Sequence, residues 1–357
     1  MTPNIQILAA FFISLLLVDI LIPAIVRLSI AKKLFDIPNE RRVNTTVVPN
    51  LGGIALFAGI SVSSLLCIQD TSFQDLRYIM VAMIVMFYTG LKDDILMITP
   101  QKKFMAQILS AIVLAMPGGI RLTDLHGLFG INEIGFVWSV LISVFAIVAI
   151  INSMNLIDGI DGLASGLGLL MSVFFGSTFF MDGYVAYAVL SFSITGGLIA
   201  FFFFNVFGKF NKIFMGDTGS LLLGLLFAIL AIKYNEFSIG TASHSYAPAL
   251  SFAVISIPLF DMARVFCVRL FHKRSPFMAD MTHIHHKLLR LGCTQKKSTA
   301  IIIFTNLLIV CLIYLLRALD VHILLAIVLL LELIFTLLAD VLLNYRSDKS
   351  EEVFKLD

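Results

Sequence analysis

Residues 5–30 read IQILAAFFISLLLVDILIPAIVRLSI, from Ile5 to Ile30, with Asp19 and Arg27 as their only charges. A helix of about 20 apolar residues crosses a bilayer core, so this run is long enough to span one. It is too long for the apolar core of a secretory leader, which reaches roughly 15 residues. No basic segment precedes it and no small-residue cleavage site follows. The run is expected to be a retained first transmembrane helix.

The whole chain repeats the signal. Of its 357 residues 59% are hydrophobic and 13% charged, with a mean hydropathy of +0.99. Soluble domains carry roughly a quarter charged residues, about twice this share. A single core does not grow to this length. The composition excludes a water-soluble globular domain, a disordered chain and a basic nucleic-acid-binding domain, and leaves a polytopic all-α membrane protein. Cys67, Cys267 and Cys311 lie in apolar runs and Cys293 in a polar one; no C-x-x-C pair occurs, so cysteine suggests neither zinc nor disulfides.

Applying the same length criterion along the chain gives about eleven helices in a single membrane domain over 1–357. They are expected near 5–30, 51–68, 78–91, 103–117, 135–151, 162–181, 184–207, 218–232, 248–271, 298–316 and 321–343. With the loop 31–50 on one side, that side also receives 92–102, 152–161, 208–217, 272–297 and the tail. Including Arg27, Lys103, Arg264 and Arg269 near helix ends, it then holds 21 of the 25 Lys and Arg residues. Cytoplasmic loops carry the Lys/Arg excess. The N-terminus is therefore expected outside and the C-terminus inside.

The polar motifs gather on that same side. They are Asp36-Ile-Pro-Asn-Glu-Arg-Arg42, Pro49-Asn-Leu-Gly-Gly53, Gly90-Leu-Lys-Asp93-Asp94, the run from Asn152 to Ala164, Phe214-Met-Gly-Asp217-Thr-Gly-Ser220, and a basic segment ending His283-Ile-His285-His286. Adjacent carboxylates such as Asp93 and Asp94 repel unless a cation or a proton relieves them. A solvated loop would carry such a pair too. Three acidic loops on one face favour Mg²⁺, which binds through one or two carboxylates plus substrate phosphates. Asn155, Asp158 and Asp161 are spaced by three, so a helical turn would present them together; an Asn/Asp/Gly connector chosen for its turns would look the same. Asp217 or Thr218 fits a helix N-cap, with phosphate favoured nearby. The three histidines fit zinc or nickel in isolation. Among Lys273, Arg274 and Arg269, and with no cysteine partner, they fit a phosphate grip better. Intramembrane acids are costly and face protein or a cavity. Asp261 and Arg264 are placed to pair; Glu332 and Asp340 fit lateral contacts between helices, and with Asp19 they are set aside from the site. Residue chemistry alone thus supports a membrane enzyme with a cytoplasmic Mg²⁺–phosphate site, acting on a nucleotide, a lipid phosphate or both.

The strings NSMNLIDGIDGLA (152–164), FMGDTGSLLLG (214–224) and SPFMADMTHIHH (275–286) carry a resemblance. From Asp36 to about Gly292 the chain resembles the polyprenyl-phosphate N-acetylhexosamine-1-phosphate transferases, and most the undecaprenyl-phosphate GlcNAc-1-phosphate branch. The resemblance implies transfer of a sugar 1-phosphate from a UDP-N-acetylhexosamine to a polyprenyl phosphate, with release of UMP. It implies a multi-pass protein of the bacterial inner membrane with its active site facing the cytoplasm, Mg²⁺ as cofactor with Mn²⁺ as substitute, and a homodimer. By resemblance, Asp217 and Asn155 ligate the metal, and Asp93 and Asp94 are an acidic pair serving chemistry and metal. Asp158 and Asp161 are acids of the nucleotide site, and Phe214 stacks on uracil. Lys103, Arg269, His283, His285 and His286 hold phosphates or shape the sugar pocket, with His283 counted among the catalytic groups. The chain departs from the pattern at Asn44, where relatives carry His, at Met281, where they carry a basic residue, and in a stretch 205–217 about two residues longer. The branch that makes the peptidoglycan lipid precursor usually has Pro-Thr-Met-Gly-Gly at 49–53 and ranks second. A secondary transporter would gather its polar groups at the midplane, often in inverted repeats, and no such pattern occurs.

Overall fold

Apolar segments in lipid must close their backbone hydrogen bonds internally, and each of the eleven apolar runs is a helix in the computed structural model. The structure describes residues 1–34, 48–70, 73–241, 245–271, 273 and 282–354, with side chains as far as Tyr345. The expectations for Asn44 and Met281 lie outside them. Within them stand α1 (Pro3–Lys32), α2 (Gly52–Cys67), α3 (Asp75–Leu96), α4 (Pro100–Ala115), α5 (Phe136–Ile157), α6 (Leu163–Met181), α7 (Val185–Phe207), α8 (Gly216–Phe237), α9 (Ala247–Phe271), α10 (Ile284–Arg290), α11 (Gln295–Leu315) and α12 (Val321–Phe354). No strand occurs among the described residues. The protein is a polytopic helical membrane protein. Eight helices are long and apolar enough to cross a membrane; α2 and α4 are shorter, α3 carries charge at both ends, and α10 has only seven residues.

Several helices run past the limits that hydropathy alone would set. α3 continues to Leu96 and α5 to Ile157, so Asp93, Asp94 and Asn155 sit in last turns rather than in loops. Their polar side chains are solvated by a cavity and by one another, so nothing forces the helix to stop at the apolar boundary. Asp93 also closes its own helix end, its Oδ1 accepting the Ile98 N–H at 2.8 Å.

α8 is the axis of the bundle. Every residue from Thr218 to Ile232 is buried, against α2, α3, α5, α6 and α9. Glycines permit that approach. A Cβ at Gly53 of α2 would strike the Gly219 amide and Thr218, and one at Gly90 of α3 would strike the Thr218 backbone. At the other end of the bundle, Asp75 of α3 pairs with Lys233 of α8 at 2.7 Å and accepts from Tyr187 Oη of α7. α3 therefore grips α8 at both ends. The N-terminus of α1 lies near Gln69, at that second end.

Backbone atoms cannot move aside as a flexible side chain can, so Gly90→Ala and Gly53→Ala should each cost roughly 1–3 kcal/mol. The expected readout is a lower thermal-unfolding midpoint in detergent. Gly135→Ala is the control, because a Cβ there meets nothing within 4 Å.

Candidate active site

The first turn of α8 is built by hydrogen bonds from outside the helix. A helix N-terminus leaves its first N–H groups without intrahelical partners. Asp94, one helix away, supplies them. Its Oδ1 accepts the Asp217 N–H at 2.8 Å, and its Oδ2 accepts the Thr218 N–H at 2.9 Å together with the Thr218 hydroxyl. Asn50 Nδ2 donates to Asp94 Oδ1 at 3.4 Å. The segment Pro49–Gly53 runs alongside, through Phe214 N–H to Pro49 O at 2.8 Å and Gly52 N–H to Phe214 O at 3.0 Å. Met215, rather than Asp217 or Thr218, occupies the N-cap position. Thr218 is fully buried and Gly216 has φ +69°.

Held this way, Asp217 faces Asp93 and Asn155. Lys103, in the first turn of α4, joins them: its Nζ lies 2.7 Å from Asp217 Oδ1, 3.1 Å from Asp93 Oδ2 and 3.3 Å from Asn155 Oδ1. Asn155 Nδ2 donates to Asp217 and, at 2.8 Å, to Ser220 Oγ. A cationic centre thus stands among three hard oxygen donors. No group of three His, Cys, Asp or Glu side chains in a chelating arrangement occurs among the described residues. The donor set nonetheless fits Mg²⁺, which takes few protein ligands and completes its shell with water and phosphate.

Asp93, Asn155, Asp217 and Ser220 line a cavity of about 470 Å³ at this end of the bundle. Asp93, Asp94, Asn155, Asp158, Asp161, Phe214, Asp217 and His286 all contribute to its wall. Asn155, Asp158 and Asp161 do converge, but not on one helical turn. α5 ends at Ile157, Asp158 follows it, and α6 starts only after Gly162, whose φ is +80°. Asp161 pairs with Lys212, which also lies 5.7 Å from the centre of the Phe214 ring. Asp161 Oδ1 is buried with no hydrogen-bond partner. Asn205 spends its amide on structure, accepting from Gly162 N–H at 2.6 Å and donating to Ile213 O at 2.9 Å.

Four sequence-expected residues are not in the cavity wall. Lys103 is held by Asp93, Asn155 and Asp217 instead. Arg269 is buried at the end of α9. His285 is buried against Gly159. His283 Nδ1 lies 2.8 Å from Asp261 Oδ2, and Asp261 also takes the Ile284 N–H at 3.0 Å and Arg264 at 2.8 Å. The Asp261–Arg264 pair forms as its spacing suggests. Asn50, Ser220 and Lys212 were missed. The first two fall inside quoted motifs, whereas Lys212 has no signal beyond its place two residues before Phe214.

Comparison with known proteins now bears on the reading. The glycosyl transferase family 4 model matches residues 76–235. An undecaprenyl-phosphate alpha-N-acetylglucosaminyl 1-phosphate transferase of Salmonella typhi is 30% identical over 272 residues, 75% of this chain and 72% of the relative. The chain belongs to glycosyl transferase family 4. A probable undecaprenyl-phosphate N-acetylglucosaminyl 1-phosphate transferase of Bacillus subtilis is 28% identical over 301 residues, 84% of this chain and 81% of that one. The undecaprenyl-phosphate alpha-N-acetylglucosaminyl 1-phosphate transferase of Escherichia coli K12 is 29% identical over 278 residues, 76% and 74% of the two chains. The matched segment of this family-4 chain carries Asp93, Asp94, Lys103, Asn155, Asp158, Asp161 and Asp217, the acidic heart of the cavity.

Electrostatics separate the two walls of the site. Burial pushes the Asp158 carboxyl up to about 7, and the charges of Asp217, Asp94 and Asp161 push the same way. Burial likewise lowers the His285 imidazole to about 3, helped by His286, so it is neutral at physiological pH. A carboxyl raised above its unfolded value stabilises the fold fully at low pH, and that contribution is lost as pH climbs from about 4 to about 7. Asp158→Asn removes the penalty. In chelator, the variant should unfold at a higher temperature than the parent at pH 8 and at nearly the same temperature at pH 4. Equal shifts at both values would contradict this assignment.

Proposed function

We propose that this chain transfers N-acetylglucosamine 1-phosphate from UDP-GlcNAc to undecaprenyl phosphate, releasing UMP and leaving a lipid-linked pyrophosphate sugar. The carrying observation is the meeting of Asp93, Lys103, Asn155 and Asp217 in one polar cavity at the end of an apolar bundle. The relatives' names point to the same reaction. A lipid phosphate needs an apolar flank and a charged head site side by side, and this fold has both. The Lys/Arg excess at the cavity end supports a cytoplasmic site in a bacterial inner membrane, with the N-terminus outside.

In the reaction two anions approach each other. An oxygen of the lipid phosphate bonds to the sugar-bearing phosphorus as the bond to the UMP oxygen breaks, and UMP departs with that electron pair. Such transfers depend on positioning and charge stabilisation. Asp217, Asp93 and Asn155 would hold Mg²⁺, which supplies charge neutralisation at the phosphates when bound. Lys103 turns from its carboxylates toward the phosphates and offsets their charge. Asp94 acts through Asp217, whose backbone it holds. Asp158, Asp161 and Phe214 form the nucleotide end, where the unpartnered Asp161 Oδ1 suits an N–H donor of a base. His286 completes the wall opposite.

Purified protein supplied with Mg²⁺, UDP-GlcNAc and undecaprenyl phosphate should release UMP and form lipid-linked GlcNAc. Chelator should abolish the reaction. Asp217→Asn should lower kcat at least a hundredfold, on the order of a lost charge-stabilising group. Product from UDP-MurNAc-pentapeptide but none from UDP-GlcNAc would replace this reading with the peptidoglycan-precursor reaction.

A further inference from the structure

α10 is the shortest α-helix among the described residues, and it carries His286 to the cavity, with His285 buried beside it. Seven residues make two turns, too few to hold a helix by its own hydrogen bonds. Its N-terminal end is fixed by Asp261 of α9, through Ile284 N–H and His283. A second carboxylate fixes its body. Lys287 Nζ lies 2.7 Å from Asp340 Oδ1 and 2.7 Å from Oδ2, and the Lys287 side chain is only 7% exposed. Lys287 follows His286 directly, about 100° further round the helix. One residue thus faces the cavity wall while its neighbour is tied to α12.

α12 is itself fixed. Eight residues earlier, about 12 Å along the helix axis, Glu332 is buried and accepts from Ser256 Oγ of α9 at 2.6 Å. Glu332 interrupts an apolar stretch, where a buried charge is costly, whereas Asp340 lies nearer the charged end of α12 and is 45% exposed. Glu332 docks α12 on α9; Asp340 then offers its carboxylate at the level of α10.

We propose that Asp340 is a positioning residue for the active cavity, acting on His286 through the ion pair with Lys287. Its role rests on the transferase reading of the cavity. Asp340 and Lys287 lie outside the family-matched residues 76–235, so the pair is a device of the C-terminal helices and not of the acidic heart. Without Asp340, whose side chain is 45% exposed, the largely buried Lys287 ammonium loses its counter-charge. Lys287 must then move toward water, and His286 moves with it. Displacing a positioned group by about 1 Å can lower a rate up to a hundredfold.

The test compares the parent with Asp340→Asn, His286→Ala, the double variant, and the reversed pair Lys287→Asp with Asp340→Lys. Asp340→Asn should lose roughly tenfold in kcat/KM for UDP-GlcNAc. The double variant should be no worse than His286→Ala alone, because the two changes act on one group. The reversed pair should recover most of the loss. Hydrogen exchange reads the same device without any reaction: amides of residues 284–290 should exchange at least tenfold faster in Asp340→Asn. Unchanged exchange, parental activity in Asp340→Asn, or losses that multiply in the double variant would each overturn the proposal. Faster exchange in a protein whose parent makes no lipid-linked sugar would uphold the Asp340 pin and overturn the transferase reading alone.

Discussion

The site depends on one capping interaction, the carboxylate of Asp94 against the first turn of α8. Two N–H groups and a hydroxyl of that turn converge on its two oxygens. A helix start buried in an apolar bundle would otherwise leave donors unpaired, at a cost of about 1–3 kcal/mol each. The same contact sets the direction of the Asp217 side chain, and through it the places of Asn155 and Lys103. It requires α3 to lie almost against the backbone of α8, which only a glycine at position 90 allows. Gly53 does the same for α2.

Charge balance follows from that arrangement. Asp93 and Asp217 share Lys103, and Asp161 has Lys212, while Asp158 faces three carboxylates with no ion pair among the described residues. Burial and that crowding push the Asp158 carboxyl up to about 7, and burial pushes the Asp94 carboxyl up to about 7 as well. Carboxylates crowd this surface, with one lysine, Lys103, shared by Asp93 and Asp217. On the α10 side His286 lines the cavity, and His285 is buried and neutral.

The secondary structure was largely legible, because lipid leaves an apolar run no alternative to a helix. All eleven expected runs are helical, and the twelfth helix, α10, escaped notice because seven polar and apolar residues make no span. Ends were less legible. Asp93, Asp94 and Asn155 looked like loop residues, and they terminate helices instead, since cavity-facing polar groups extend a helix beyond its apolar limit. Asp217, Asp158 and Asp161 could be named as site residues from their motifs. That Asp94 caps a neighbouring helix, that Asn205 is spent on backbone bonds, and that His283 answers to Asp261 could not, because each partner lies far away in the chain.

By itself the sequence determined an apolar helical bundle with its basic residues and acidic motifs assigned to one face, since hydropathy and charge are properties of single residues and short windows. Only the tertiary structure decided which motif residue does which job. Two adjacent aspartates with the same chemistry part ways: Asp93 turns to Lys103 and the cavity, Asp94 to the backbone of α8. Asp340 makes its lateral contact with Lys287 of α10, the helix of the histidines. Side chains one residue apart on a helix point about 100° apart, so what each one meets depends on the helices packed around it.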